Sequence, residues 1–400
     1  RRSGNGWVRQ AYIKASNTGG EDRFGFVVAL SADGNTLAVS APYEDSAATG
    51  INGNQADNSV EQSGAVYVFT RTGSAWSQQA YIKASNAGAK FDEFGYSLTL
   101  SDDGTTLAVG AISEASSATG INGDQADTSA DSSGAAYVFT RSGSTWSQQA
   151  YVKSSATRRN VLFGYSVALN ARGDTLAVGE YDTDRGKGAI YVFTRSAGTW
   201  SQQARLQALT VEPGDSLGYA LAISDDGNTI AAGAADEDCT VPGINPPGCD
   251  KDAERLTPTE VLNGSFGAAY IFVRNGSTWT EQAFIKASNP AKGDWFGVHL
   301  SLSGDGNTLA VCSPSEDSAA TGINGKQDDE SADIAGAVYV FTRNATVWSQ
   351  HAYVKASDTV KFGEFGSAVS LARDGRMMAV KGLRTGNSAP GSGAVYTFTR

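Results

Sequence analysis

The sequence is poor in the residues on which most chemistry depends. Its 400 residues include three cysteines, two histidines and two methionines. So few thiols and imidazoles leave no zinc-type cluster and no disulfide scaffold. No G-x-S-x-G elbow, phosphate-binding P-loop or H-E-x-x-H motif occurs. Proline is scarce at nine, and no apolar run approaches the roughly 18 residues of a membrane-spanning helix. Positive charge is also in deficit, with 31 Lys and Arg against 42 Asp and Glu, a net −11. That balance argues against nucleic acid and anionic membrane surfaces, both of which call for basic residues. No initiator Met and no signal-like apolar stretch is present, so the chain reads as a mature or excised segment.

What is abundant is glycine, at 47 residues, beside a hydrophobic fraction of 40% and an aromatic fraction of 10%. The apolar content suffices for a core, and the glycine points to many turns. Both follow from an internal repeat. Trp7, Trp76, Trp146, Trp200, Trp279 and Trp348 each open a segment of the type WSQQAYIKAS. A Phe-Gly or Leu-Gly pair follows at 24–25, 94–95, 163–164, 217–218, 296–297 and 365–366. Next come a D-G or G-D turn with a TLAV-type run, and then a GAVYVFTR-type run. Runs of β-branched and aromatic residues bounded by Gly, Asp, Asn and Ser predict strands, and WSQQAYIKAS alternates with period two.

Each repeat thus predicts four antiparallel strands: an inner FG strand, a second TLAV strand, a third AVYVF strand and an outer WSQQAYIKAS strand. Six such repeats predict an all-β, six-bladed propeller forming a single domain over residues 1–400. The last repeat ends on its third strand, and the N-terminal segment Trp7 to Ser16 has the outer-strand pattern. The N-terminal strand is therefore expected to complete the last blade and close the ring; a seventh blade would need sequence beyond this chain.

On these residues the chain resembles the FG-GAP repeat family, which includes the propellers of integrin α-subunit heads and many secreted bacterial proteins. The features that carry the resemblance are the FG pair, the Ala41-Pro42 or Gly110-Ala111 step and the GAVYVF run, and they span essentially the whole chain. The resemblance implies ligand binding on the face carrying the second-to-third and outer-to-inner connections, often in adhesion or matrix recognition. Integrin-type blades also carry calcium in the inner-to-second hairpin. Here those hairpins keep little beyond a D-G and are too short for a shell of 6–8 oxygens, so Asp33, Asp103, Asp226, Asp305 and Asp374 are read as turn residues.

Second-to-third connections are long at about 41–63, 111–133, 233–266 and 313–335, and short in repeats three and six. These four loops hold 21 of the 42 acidic residues and only 3 basic ones, so the negative charge lies on one face. Three contain closely similar runs, such as EDSAATGINGNQAD at 44–57. One reading has each G-I-N-G loop compact, with Ile51, Ile121, Ile244 and Ile323 tucked inward and the acids solvated. The other has the loops bind Ca²⁺ through Asp45, Asn52 and Asp57, through Asn122, Asp124 and Asp127, and through Asp317, Asn324 and Asp329.

Asp22, Asp92, Asp215 and Asp294 precede the FG pair and are expected to bond nearby backbone N–H groups. Cys239 and Cys249 enclose the fourth loop's G-I-N with three prolines between them, which suits a local disulfide, a metal pair being the alternative. Cys312 reads as a core thiol. His299 stands near the axis and Trp295 beside an FG pair, which makes them, with Asp294, the candidate ligand-binding residues. Asn263, Asn275 and Asn344 lie in N-x-S/T sequons.

The function expected is an extracellular or cell-surface module that binds a protein or carbohydrate through its acidic loop face, with calcium as candidate cofactor. It is expected as a monomer or as part of a larger chain. Two alternatives stand beside it: a polysaccharide lyase or hydrolase working in the axial funnel around His299, and a structural spacer in a larger surface protein.

Overall fold

The structure, a computed structural model, describes every residue except 1, 5, 88, 89, 183–185, 250–264 and 385–391. It is an all-β six-bladed propeller. A short hairpin of β1 (Arg2–Ser3) and β2 (Gly6–Trp7) precedes the blades. Blade one holds β3 (Val28–Leu30), β4 (Thr36–Ala41), β5 (Ala65–Thr72) and β6 (Ala75–Ile82). Blade two holds β7 (Phe94–Leu100), β8 (Thr106–Ala111), β9 (Ala135–Ser142) and β10 (Thr145–Val152). Blade three holds β11 (Phe163–Leu169), β12 (Thr175–Glu180), β13 (Ala189–Ser196) and β14 (Thr199–Leu206). Blade four holds β15 (Leu217–Ile223), β16 (Thr229–Ala234), β17 (Ala268–Asn275) and β18 (Thr278–Ile285). Blade five holds β19 (Leu300–Leu302), β20 (Thr308–Ser313), β21 (Ala337–Asn344) and β22 (Val347–Val354). Blade six has three strands, β23 (Ala368–Leu371), β24 (Met377–Arg384) and β25 (Ser392–Thr399). No helix long and apolar enough to cross a membrane is present among the described residues.

By compactness the chain divides into residues 1–176 with 194–201, and residues 177–193 with 202–400. Within the first unit, the inner turns of successive blades are joined by backbone bonds, Ala32 N–H to Asp102 O at 2.9 Å and Asp102 N–H to Ala171 O at 3.0 Å. The second unit repeats this from Asp225 N–H to Gly304 O and from Gly304 N–H to Arg373 O, each at 2.8 Å. Blades approach so closely that a Cβ added to Gly110 would lie 2.0 Å from the Gly164 carbonyl oxygen. In Phe-Gly, the glycine adopts φ near +95°, a conformation that L side chains rarely take.

The core lies between blades. In the first unit, Trp146 packs with Val68, Ala80, Leu107 and Phe139, and Leu100 packs against them. In the second, Trp348 packs with the matching residues Ile271, Ala283, Leu302, Leu309 and Phe341. The recurring Trp also donates Nε1–H to the outer-strand Gln of the preceding blade: Trp146 to Gln79 at 3.0 Å and Trp348 to Gln282 at 3.0 Å. An Arg of the third strand shares that Gln and lies over the indole, as Arg343 does at 5.3 Å from the ring centroid.

The N-terminal segment departs from expectation in one respect. Residues 8–16 lie in no strand, and β25 has β24 as its one strand partner among the described residues. A period-two pattern forms a strand only where a neighbour supplies hydrogen bonds. Outer-strand contacts to blade one are nevertheless made: Arg71 donates to Gln10 at 3.1 Å and Asn17 donates to Glu44 at 2.9 Å.

Candidate functional site

The long loops are built from their roots upward. Gly64 N–H donates to Glu44 O at 2.9 Å, and Gly134 N–H donates to Glu114 O at 2.8 Å, so each loop leaves and re-enters its blade at one point. Inside that root sits a buried ion pair. Lys83 Nζ lies 2.7 Å from Glu44 Oε2 and donates to Ser63 Oγ at 2.7 Å. Glu44 Oε1 accepts from Tyr81 at 2.7 Å and from Asn17, whose own oxygen accepts from Tyr67. The set recurs as Lys153, Glu114, Tyr151 and Asn86, and as Lys355, Glu316, Tyr353 and Asn289. Blade four keeps Lys286 and Glu237 and has Phe284 in place of the Tyr. Burial pushes the Lys83 and Lys153 ammonium groups down, against the pull of Glu44 and Glu114.

This network was not singled out from the sequence, although the signal was there. The Lys of YIKAS occurs in the four blades that own long acidic loops and as Lys14 in the N-terminal segment, whereas blade three, with a short connection, has Gln207 at that position. The Gln donates instead to Gly188 O at 3.1 Å.

The G-I-N tips clamp onto the outer strand. Asn52, at φ +57°, donates its N–H to Tyr81 O at 2.7 Å and accepts the Tyr81 N–H on Oδ1 at 3.0 Å. Asn122 and Asn324 do the same with Tyr151 and Tyr353. The isoleucines are less enclosed than expected: Ile51, Ile121 and Ile244 are half-buried, and Ile323 is 58% exposed. Each bridges the blade's outer edge through its backbone, where cover must come from a neighbouring blade.

Each carboxylate named for calcium accepts a backbone N–H. Asp45 Oδ1 accepts Gln62 N–H at 2.8 Å, and Asp57 Oδ2 accepts Ala47 N–H at 3.0 Å. Asp124 accepts Ala126 N–H at 2.9 Å, and Asp127 accepts both the Ser117 N–H and hydroxyl. Asp317 accepts Ile334 N–H at 2.6 Å, and Asp329 accepts Ala319 N–H at 3.1 Å. Bonds from Ser117 hold the Asp127 carboxyl down at about 2. Among the described residues no group of three or more His, Cys, Asp or Glu is placed to hold a metal ion.

Asp22, Asp215 and Asp294 each accept a backbone N–H three residues upstream, at 2.7, 2.6 and 3.0 Å. Burial pushes Asp92 up to about 7 and both Asp215 and Asp294 up to about 8. Asp294 is 2% exposed, so of the three ligand candidates it lies beneath the surface. Trp295, next to it, is 45% exposed at φ +57°. Arg23, Glu93, Leu162, Ser216 and Glu364 hold the same place before their own FG pairs, all at positive φ. One left-handed backbone position per blade therefore displays a chemically different side chain. His299 is reached by solvent just before β19; crowding by protein, then Lys381, lowers its pKa.

Two further features complete the picture. Phe26, Tyr96 and Tyr165, each directly after an FG glycine, form a row with ring centroids 5.5 and 5.2 Å apart. Cys239 and Cys249 form a disulfide, and Cys312 is buried with its thiol pushed up by desolvation. The hairpin aspartates are turn residues, Asp33 accepting from Ser31 at 2.6 Å and from Asn35 N–H at 2.9 Å. Asn275 and Asn344 are exposed at the ends of β17 and β21, while Asn263 lies outside the described residues.

The FG-GAP repeat family model matches residues 7–69, 76–139, 146–193 and 279–341, more than half of the chain. The chain belongs to the FG-GAP repeat family. None of the curated proteins compared with it matches. Among solved structures, the FG-GAP chain is similar to the periplasmic gluconolactonase PpgL of Pseudomonas aeruginosa, at 13% identity and a TM-score of 0.49, over 93% of this chain and 84% of that one. It is also similar to TolB of Acinetobacter baumannii, at 12% identity and a TM-score of 0.38, over 83% of this chain and 54% of that one.

Proposed function

We propose that this FG-GAP propeller is a binding module that recognises a protein or carbohydrate ligand on its long-loop face, in an extracellular or cell-surface setting. The observation that carries the reading is Trp295. A large aromatic side chain stands in solvent on a left-handed backbone, a costly combination for a bulky residue, next in sequence to the buried Asp294. An exposed Trp supplies a large apolar contact area to a sugar face or an apolar partner group. The long loops stand on buried ion pairs, which supports a loop face of fixed shape. The disulfide suits an oxidising compartment. The reading does not draw on calcium.

A glycan array and a surface-protein binding screen, run with the intact chain and with Trp295→Ala, test it. Binding weakened at least tenfold by Trp295→Ala without turnover of the ligand supports the proposal. Binding indifferent to that substitution removes Trp295 from the site.

A further inference from the structure

The first unit carries an aromatic feature of its own, separate from Trp295. Phe26, Tyr96 and Tyr165 follow the FG glycines of three successive blades, and their ring centroids stand 5.5 and 5.2 Å apart. One backbone bond holds each of them. The aromatic residue donates its N–H at 3.0 Å to the carbonyl of the left-handed residue three places earlier: Phe26 to Arg23, Tyr96 to Glu93 and Tyr165 to Leu162. The row meets solvent, with Phe26 42% exposed and both tyrosines half-buried. The fold does not call for rings here, since Val298 and Ser367 occupy the same place after the FG glycines of blades five and six.

Successive rings are tilted by 50° and 48°. No single planar ligand lies flat on all three, whereas a chain of separate rings joined by rotatable bonds can turn with them. The residues that start the three turns add polar groups. Arg23 is exposed and lies over the Tyr43 ring, 4.2 Å from its centroid. Burial pushes the Glu93 carboxyl up, and Arg23 is near enough to draw it back. The two charges offset each other and Leu162 adds none, so donors and acceptors are offered without net charge. Tyrosine rings bring an apolar body with a hydroxyl at one end. Apolar faces rimmed by donors and acceptors match a sugar ring, whose C–H face is apolar and whose edge carries hydroxyls. The two long loops of this unit, 41–63 and 111–133, hold eight acidic residues and no basic one, which disfavours an anionic polysaccharide.

We infer that Phe26, Tyr96 and Tyr165 form a subsite for a neutral oligosaccharide, whose successive rings stack on the three aromatic side chains while Arg23 and Glu93 bond ring hydroxyls. The inference rests on the binding-module reading and narrows its ligand to a carbohydrate, through residues other than Trp295. Because the rings stand in a row, the subsite takes an extended chain, and affinity grows with each sugar ring until the row is covered.

Titration calorimetry on the intact chain tests this, with neutral linear glucan, xylan, mannan and chitin oligosaccharides of one to six rings as probes. At least one series is expected to bind, tightening severalfold from one ring to three and levelling beyond. Tyr96→Val, which copies Val298 and so suits the fold, is expected to weaken binding at least tenfold, and Tyr96→Phe to keep most of it. Phe26→Ser, which copies Ser367, decides the matter if Tyr96→Val fails to fold. Binding of a sugar that is indifferent to both Tyr96→Val and Phe26→Ser overturns the inference. So does a protein ligand bound with none of the four sugar series, an outcome that leaves the binding-module reading standing. Binding of neither sugar nor protein overturns both.

Discussion

Lys83 Nζ lies 2.7 Å from Glu44 Oε2, with the lysine side chain fully excluded from solvent and the glutamate all but so. This pair joins the outer strand of blade one to the root of its long loop, and three other blades repeat it. It fixes a mobile kind of element, a loop of some twenty residues, to a rigid one. The consequence is a loop whose root is fixed by the fold itself.

Removing one partner strands a buried charge. Lys83→Ala is expected to cost about 3–5 kcal/mol in chemical denaturation, far more than a surface ion pair is worth. Replacing both partners with apolar residues of similar size, Glu44→Leu with Lys83→Met, is expected to recover most of that loss. A double variant as unstable as the single one contradicts this account.

Stability is expected to fall between pH 5 and pH 8. Burial raises Asp215 and Asp294 to about 8 and Asp92 to about 7, against an ordinary value of 3.8. The folded state therefore holds protons that the unfolded chain has released, and their stabilisation is complete below pH 3.8 and lost as pH rises through 8. Asp294→Asn is expected to flatten the fall. Melting temperature against pH for both proteins reads it directly, and identical slopes exclude Asp294 as a contributor.

Blade-to-blade contact leaves no room at Gly110. A methyl there would meet the Gly164 carbonyl oxygen at 2.0 Å, a backbone atom that cannot rotate away. Gly110→Ala is expected to destabilise by about 1–3 kcal/mol or more. Gly393→Ala, where a Cβ meets nothing within 4 Å, is expected to be nearly silent in the same urea titration.

Calcium is expected to leave the protein unmoved. The loop carboxylates hold backbone N–H groups and are not gathered around a common point. Chelator and added Ca²⁺ should give the same melting temperature and the same proteolysis pattern in the loops. A rise with Ca²⁺ that Asp57→Asn abolishes contradicts this placement.

Much was legible along the chain because its repeat is local. Recurring Trp, FG, D-G and GAVYVF set six units, their strand types and the face on which loop length varies, since period-two patterns and turn residues act over a few positions. The Cys239–Cys249 pairing is legible for the same reason, with little chain between the two residues. The roles of charged residues are not local. Glu44 and Lys83 are 39 residues apart, and nothing in either neighbourhood says that one neutralises the other in a dry interior. Asp45, Asp57 and Asp127 look like metal ligands in sequence because acids cluster there. Only folding shows that their oxygens cap backbone N–H groups. Sequence alone determined the repeat and the strand pattern. Which charges are buried and which oxygens accept backbone N–H groups were decided by tertiary structure, because burial and hydrogen bonding are made between segments distant in the chain.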